Sequence, residues 1–308
     1  GVCLHKGCIP SKMFLHHANT IRQSKESVFT GDIMLDMEVL TAKKNKLMSS
    51  ATKAVTAQCD QVELIEGKGH VIGPHKVEVE GEIYEAEYIV IGTGSSPFIP
   101  KGIAYDGKAI ITSNEVLDLQ ALPKEIAIYG DGAIGLEMAC FFASAGVDVT
   151  LLSRGEILLG KSHPLIQSAI VKEMERLGIT HLKNNPVTSA EHTEKGVHIT
   201  FENGTSNYYE QMLVSTGRHP NSDVIATDEI VVNRGIETNT WYETSLAKHY
   251  AVGDCNGKLQ LAHAARAQAL NVTMQILGKK PNELNLDHVV KFIHTLPMSY
   301  ATVGENRY

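Results

Sequence analysis

Two cysteines five positions apart open the chain, in the run Cys3-Leu4-His5-Lys6-Gly7-Cys8 followed by Ile9-Pro10-Ser11-Lys12. Thiols are the side chains that exchange disulfides, and the attacking species is the thiolate. The N-terminal end of a helix favours that thiolate. On a regular helix the two side chains would sit well over one turn apart, whereas a disulfide needs Cα atoms within ~7 Å. A helix start distorted at Gly7 brings such a pair into range. The same spacing also suits two unrelated structural cysteines. No second Cys/His pair at matching spacing accompanies them, so a zinc site is poorly supported and no metal is expected.

A second chemical signal is Gly130-Asp131-Gly132-Ala133-Ile134-Gly135. A G-x-G-x-x-G run alone is weak, but this one lies between a strand pattern (IAIYG) and a helix pattern, and a second strand (VDVTLLS) follows. In such a βαβ unit Gly130 permits the tight turn, Gly132 lets backbone approach a pyrophosphate, and Gly135 permits close helix packing. The helix N-terminus then faces the phosphates. The end of the second strand reads the ribose 2′ position: an acid bonds a hydroxyl, a basic group accommodates a phosphate. Here the residues are Ser153-Arg154, a hydroxyl and a guanidinium that suit a phosphate better than an acid would.

The elements that must position these residues are legible as patterns. Residues 1–30 read as a helix with a Cys- and Gly-rich start, and 34–58 as a longer helix with apolar residues at helical spacing. Short strands follow at VELIEG (62–67), KVEVEG and EYIVIG, separated by Gly and Pro. Helices are expected over 163–178 and 260–278, a β-rich stretch runs to Val214, and a short strand lies at 250–252. An internal echo links YIVIGTGSSPFIP (88–100) and YEQMLVSTGRHPNSD (209–223): each strand ends in Thr-Gly with a Pro close behind. One copy precedes the βαβ unit and the other follows it. Thr93-Gly94 and Thr216-Gly217 therefore read as the points where the chain leaves one domain, builds a second and returns.

Composition sets the limits. The 308 residues suit about two domains. They are 43% hydrophobic and 20% charged, with a net charge of −7. This is ordinary globular composition. A basic nucleic-acid-binding surface is not expected, and no apolar run approaches the ~20 residues of a membrane span. Five cysteines in 308 residues do not make a disulfide-stapled scaffold. Residue 1 is Gly, and the opening residues read as the interior of a longer sequence, so a preceding segment is expected.

The run GVCLHKGCIPSK closely resembles the redox-active segment of the pyridine nucleotide–disulfide oxidoreductases, and Gly-Cys-Ile-Pro-Ser-Lys is most similar to their dihydrolipoamide dehydrogenase branch. The similarity continues in register to the last residues. It implies an α/β fold of two Rossmann-like dinucleotide-binding domains, the FAD domain incomplete and the NAD(P) domain inserted. The implied boundaries are 1–112 for the FAD-binding part, 113–222 for the NAD(P)-binding domain, 223–288 for the return to the FAD-binding and central part, and 289–308 for the start of an interface domain.

Roles follow from the same resemblance. Cys3 would exchange with a dithiol substrate and Cys8 would lie against the flavin. Lys12 would sit beside the flavin ring and pair with Glu137, which stands in Gly-Leu-Glu after the nucleotide turn. Thr93 and Gly94 resemble the flavin-side crossing motif. Gly253 and Asp254 resemble the second flavin motif, whose Asp bonds the ribityl chain. Ala262 opens a helix aimed at the flavin carbonyl. Gly217 is placed with the nucleotide-binding residues, beside Gly130, Gly132, Gly135, Ser153 and Arg154. The family's first G-x-G-x-x-G and its His-Glu base are not found in these residues, and His288 and His294 are set aside as bases. Cys59, Cys140 and Cys255 read as packing residues.

The implied cofactors are FAD and NAD, with NADP as the alternative that Arg154 raises. The implied activity is oxidation of dihydrolipoamide by NAD⁺ through a Cys3–Cys8 disulfide, in a homodimer, within the cytoplasm or a mitochondrial matrix, in contact with a 2-oxo acid dehydrogenase complex. The chain by itself is expected to be inactive. The alternatives are an NADPH-dependent disulfide or mercuric reductase of the same superfamily, and a non-catalytic nucleotide-binding module.

Overall fold

A computed structural model describes residues 1–25, 28–160 and 162–304. Its first helices are α1 (Val2–His5) and α2 (Cys8–Ser24). The single helix expected over 1–30 is thus broken, at Lys6 (φ −138°) and Gly7. A Cβ on Gly7 would lie 3.0 Å from the Val2 carbonyl oxygen and 3.3 Å from Cys3 Cα, so α1 folds back against α2 at a residue with no side chain. Pro10 is tolerated in the first turn of α2, where its missing N–H has no intrahelical partner to lose. Helix α2 buries Phe14, Leu15, Ala18 and Ile21, an apolar stripe at helical spacing. Helix α3 (Met37–Thr56) starts where the Asp36 carboxylate accepts the Val39 N–H at 3.0 Å, a capping bond.

Three short antiparallel strands follow: β1 (Gly69–Gly73), β2 (Lys76–Val79) and β3 (Glu82–Glu85). The strand expected over 62–67 does not form. Val62 and Leu64 are 64% and 69% exposed, so that segment has no apolar face to bury and no neighbour to pair with. Next come β4 (Ile89–Ile91) and β5 (Ser95–Pro97).

The nucleotide-type unit is β6 (Ile110–Thr112), β7 (Glu125–Tyr129), α4 (Ala133–Ser144), β8 (Asp148–Leu152), α5 (Pro164–Arg176) and β9 (Thr180–Leu182). An antiparallel meander of β10 (Val187–Thr193), β11 (Gly196–Phe201) and β12 (Ser206–Tyr209) leads into β13 (Gln211–Val214). The strands β6-β13-β7-β8-β9 form one parallel sheet in that order. Its inner strands β13 and β7 are mostly apolar and buried, as strands covered on both faces are, whereas the edge strand β9 is not. The chain then makes β14 (Arg218–Pro220), β15 (His249–Ala251), α6 (Ala262–Ile276) and the antiparallel pair β16 (Lys291–His294) and β17 (Ser299–Thr302).

The two Thr-Gly turns of the sequence echo meet in space. Strand β5 follows Gly94, β14 follows Gly217, and the two pair antiparallel, Ser95 opposite Pro220 and Pro97 opposite Arg218. Thr93 Oγ1 donates to the Asn221 carbonyl at 2.6 Å, and Asn221 Nδ2 donates to the Thr93 carbonyl at 2.9 Å. On the far side of this ladder β4 and β15 pair in parallel. A boundary drawn at 112/113 would cut β6 from the sheet to which it belongs, whereas one at the β5–β14 ladder leaves every sheet whole.

Candidate active site

Cys3 lies on α1 and Cys8 is the first residue of α2. They are joined in a disulfide with Cα atoms 4.6 Å apart, and the break at Gly7 supplies that proximity. Cys8 is exposed and Cys3 half-buried, so an external thiol can reach the pair. Two of the remaining cysteines, Cys140 and Cys255, are buried. Burial pushes the Cys140 thiol up to about 11 and also raises that of Cys255, while Cys59 is half-buried.

Lys12 follows Cys8 by four residues, so both stand on one face of α2. Its Nζ lies 2.6 Å from each carboxylate oxygen of Glu137. Glu137 is only 7% exposed, and a buried carboxylate needs charge-assisted partners of this kind. Packing of α2 on α4, with the Phe14 and Phe141 rings 5.3 Å apart, brings the two together across 125 residues of sequence.

One contact was not anticipated. The main-chain N–H of His294, a residue to which the resemblance gives no role as base, donates to Glu137 Oε1 at 3.0 Å. Strand β16 packs on α4 and so completes the environment of the carboxylate. The His294 imidazole lies 2.7 Å from Ser299 Oγ. Burial holds it below its usual range; the Lys12 charge adds to that, and Glu137 opposes it. No sequence signal marks the contact, because the donor is backbone.

The G-x-G-x-x-G turn divides its glycines by task. Gly130 has φ +120°, and a Cβ there would meet Ser215 C at 2.6 Å and Thr216 N at 3.0 Å. A Cβ on Gly135 would run into the Gly130 carbonyl and lie 2.9 Å from Ser215 Oγ. Both positions are needed for packing. Around Gly132 there is nothing within 4 Å, and this residue caps α4 without a side-chain hydrogen bond. It therefore presents open backbone at a helix N-terminus, which is what a pyrophosphate requires.

A cleft of about 350 Å³ runs from Gly130, Asp131 and Gly132 past Arg154 and Gly155 to Thr216 and Gly217. Arg154 faces it. Ser153, also expected to contact the nucleotide, is 1% exposed. Its Oγ lies 3.0 Å from the Gly155 carbonyl oxygen and 2.7 Å from His181 Nε2, so it shapes the turn from beneath.

On the other side of the β5–β14 ladder, Gly94 (φ +72°) and Gly253 (φ +76°) occupy left-handed conformations that favour glycine. Ser95 Oγ donates to Asp254 Oδ2 at 2.6 Å, and Arg218 Nε donates to that same Ser95 oxygen at 2.8 Å. Burial lowers the Arg218 guanidinium's pKa, and the Asp254 charge opposes this. Asp254 Oδ1 has no hydrogen bond among the described residues, an acceptor suited to a sugar-like hydroxyl. The Gly253 N–H donates to Gln268 Oε1 at 2.8 Å, fixing the motif against α6. Helix α6 opens at Ala262 without a side-chain cap, leaving N–H groups and a positive dipole end to face a partner. These features fit the ribityl chain and ring carbonyl of a flavin.

A parallel α/β sheet with a nucleotide turn, joined to a surface disulfide backed by a Lys–Glu pair, defines a nucleotide-dependent disulfide oxidoreductase. The family described as pyridine nucleotide-disulphide oxidoreductase matches residues 1–269, and the chain belongs to this family of flavin-dependent oxidoreductases. It is 32% identical to a dihydrolipoyl dehydrogenase of Bacillus subtilis (strain 168), over 99% of this chain and 70% of the relative. It is 31% identical to a mercuric reductase of Lysinibacillus sphaericus, over 99% of this chain and 58% of the relative. The crystal structure of LpdA from Mycobacterium tuberculosis superposes with a TM-score of 0.90 at 24% identity, over 99% of this chain and 70% of that one.

Proposed function

We propose that this chain carries the dithiol-exchange and nucleotide-binding residues of a dihydrolipoyl dehydrogenase-like enzyme, with dihydrolipoamide or a related dithiol as substrate. The observation that carries the reading is the reactive pair itself: an accessible Cys3–Cys8 disulfide at the start of α2, with Lys12 one turn along and held by Glu137 from the nucleotide-binding helix. A substrate thiolate attacks Cys3 Sγ, the Cys3–Cys8 bond breaks, and Cys8 leaves as a thiolate at the helix N-terminus. The second substrate thiol then displaces Cys3, closing the substrate disulfide and leaving two reduced cysteines. FAD, when bound, supplies the two-electron relay between this dithiol and the nicotinamide. Lys12 stabilises negative charge next to Cys8, and Glu137 with His294 N–H fixes the ammonium in place. Thr93, Gly94, Gly253, Asp254 and Ala262 hold the flavin. Gly130, Gly132, Gly135, Arg154 and Gly217 line or shape the nucleotide cleft, and Ser153 supports its turn.

We place the inserted nucleotide domain between the two strands of the β5–β14 ladder. The 308 residues contain one G-x-G-x-x-G, assigned to the pyridine nucleotide, and no residue assignable as base for Cys3. The polypeptide alone is therefore expected to hold FAD weakly and to turn over poorly. Among the described residues no helix is long and apolar enough to cross a membrane. Exchange-active thiols suit a reducing compartment, and we assign the cytoplasm, in a homodimer serving a 2-oxo acid dehydrogenase complex. The second reading, an NADPH-dependent disulfide or mercuric reductase, is favoured by the Arg154 guanidinium in the cleft.

Thiol counting tests the reading without requiring turnover. Three cysteines are free in the oxidised chain. Incubation with dihydrolipoamide and removal of the reagent should expose two more under denaturing conditions, and Cys8→Ser should abolish the disulfide while leaving nucleotide binding intact. A pair that dihydrolipoamide leaves oxidised, although dithiothreitol reduces it, counts against the proposed substrate.

A further inference from the structure

We infer that the nucleotide cleft is built for NADP(H) rather than NAD(H), with Arg154 as the specificity-determining residue. The inference rests on the reading of this cleft as a dinucleotide site.

The 2′ group of the adenosine ribose is read where the second strand of the βαβ unit ends, here the 153–156 turn after β8. Three observations fix what that turn offers. Arg154 is exposed, lines the cleft and has no hydrogen bond or ion pair among the described residues, so its fork of donors is free for an anion. Ser153 is turned inward onto Gly155 and His181, and the turn is pinned further by the Asn185 N–H donating to the Ser153 carbonyl at 3.2 Å. The acid of this turn, Glu156, is engaged elsewhere: Asn184 Nδ2 donates to its Oε2 at 2.6 Å, and Lys183 Nζ lies 3.5 Å from its Oε1. The carboxylate that would accept a 2′-hydroxyl is thus held by the β9 exit, and the guanidinium that would grip a 2′-phosphate is left unpaired. The other charged residue of the cleft, Asp131, sits in the phosphate turn after β7, not at the end of β8.

A free guanidinium binds phosphate bidentately, which sets the size of the effect at about tenfold or more. The test is calorimetric titration of the 308-residue chain with NADPH and with NADH, repeated at two salt concentrations. NADPH should bind about tenfold tighter or more, and its advantage should shrink at high salt. Arg154→Ala should remove most of that advantage, weakening NADPH binding several-fold more than NADH binding. A variant combining Lys183→Ala with Asn184→Gly should release Glu156 and narrow the preference. Asn184 has φ +50°, so glycine fits its backbone. Equal or tighter binding of NADH to the wild-type chain overturns the inference, as does an Arg154→Ala effect equal for both nucleotides. If neither nucleotide binds, the dinucleotide reading of the cleft itself fails, and the inference falls with it.

Discussion

The two sides of the β5–β14 ladder are built differently. On the nucleotide side, β7 lies inside a five-stranded sheet, and Ile126, Ala127 and Ile128 are fully buried. Helix α4 there buries nine of its twelve residues, so that side is held by its own core. On the side assigned to the flavin, β4 pairs with β15 alone among the described residues, and Val90 is 47% exposed. The motifs assigned to the flavin rest on a smaller core that includes Ile89, Ile91, Ala251 and Cys255, and on a chain of polar contacts, Arg218 to Ser95 to Asp254 and Gly253 to Gln268. The proposed nucleotide site is therefore held mainly by packing, whereas the proposed flavin site combines a smaller core with a chain of hydrogen bonds.

The largest effect should come from the packing side. Gly135→Ala drives a methyl group into the Gly130 carbonyl, and we expect a loss of about 3 kcal/mol. Gly132→Ala meets open space, so stability should change by less than about 0.5 kcal/mol while nucleotide affinity drops. Urea denaturation and calorimetry on both variants separate the two roles, and equal destabilisation would undo the division between them.

Next is the pair that joins the regions. Lys12→Met leaves Glu137 with the His294 N–H as its one hydrogen-bond partner among the described residues. The Lys12 side chain is 31% exposed, so solvent softens the loss to about 1–3 kcal/mol. Adding Glu137→Gln should recover part of it, and a double variant no more stable than Lys12→Met would argue against a true ion-pair coupling.

On the flavin side, Ser95→Ala breaks two hydrogen bonds at once and should cost about 1–2 kcal/mol. Hydrogen exchange should speed up in 93–97 and 253–256 and stay unchanged in 125–152. A rise spread evenly over both regions would show that the ladder does not insulate them.

The smallest effect is a pH slope. Burial lowers the His181 pKa from its ordinary value, with Lys183 adding and Asp131 and Glu156 opposing. The unfolded imidazole therefore takes up its proton first. Its contribution to stability is complete above pH ~6.5 and is lost as pH falls below that value. His181→Asn should flatten the fall in melting temperature between about pH 7 and pH 5, and an unchanged slope would place the titrating group elsewhere.

Short-range features of the chain are legible in its sequence. The glycine spacing inside a strand–turn–helix–strand pattern marked the nucleotide turn, because each glycine answers a local steric demand. Gly7 between the cysteines marked the distorted helix start. The echo of the two Thr-Gly turns marked the crossing, although not that its strands would pair. Hydrophobic spacing also suggested a strand at 62–67 that does not form, since a strand exists only where another lies beside it.

Only the tertiary structure decided the rest. To the Lys12–Glu137 pair that the resemblance implied, it added the His294 N–H from 157 residues away. It also turned Ser153 inward, diverted Glu156 to the β9 exit and left Arg154 open. The spacing of neighbours along a chain is fixed by covalent geometry and helical pitch. Which carboxylate is free, and which cation it meets, depends on how separate elements pack, and the order of residues does not contain that until the core has formed.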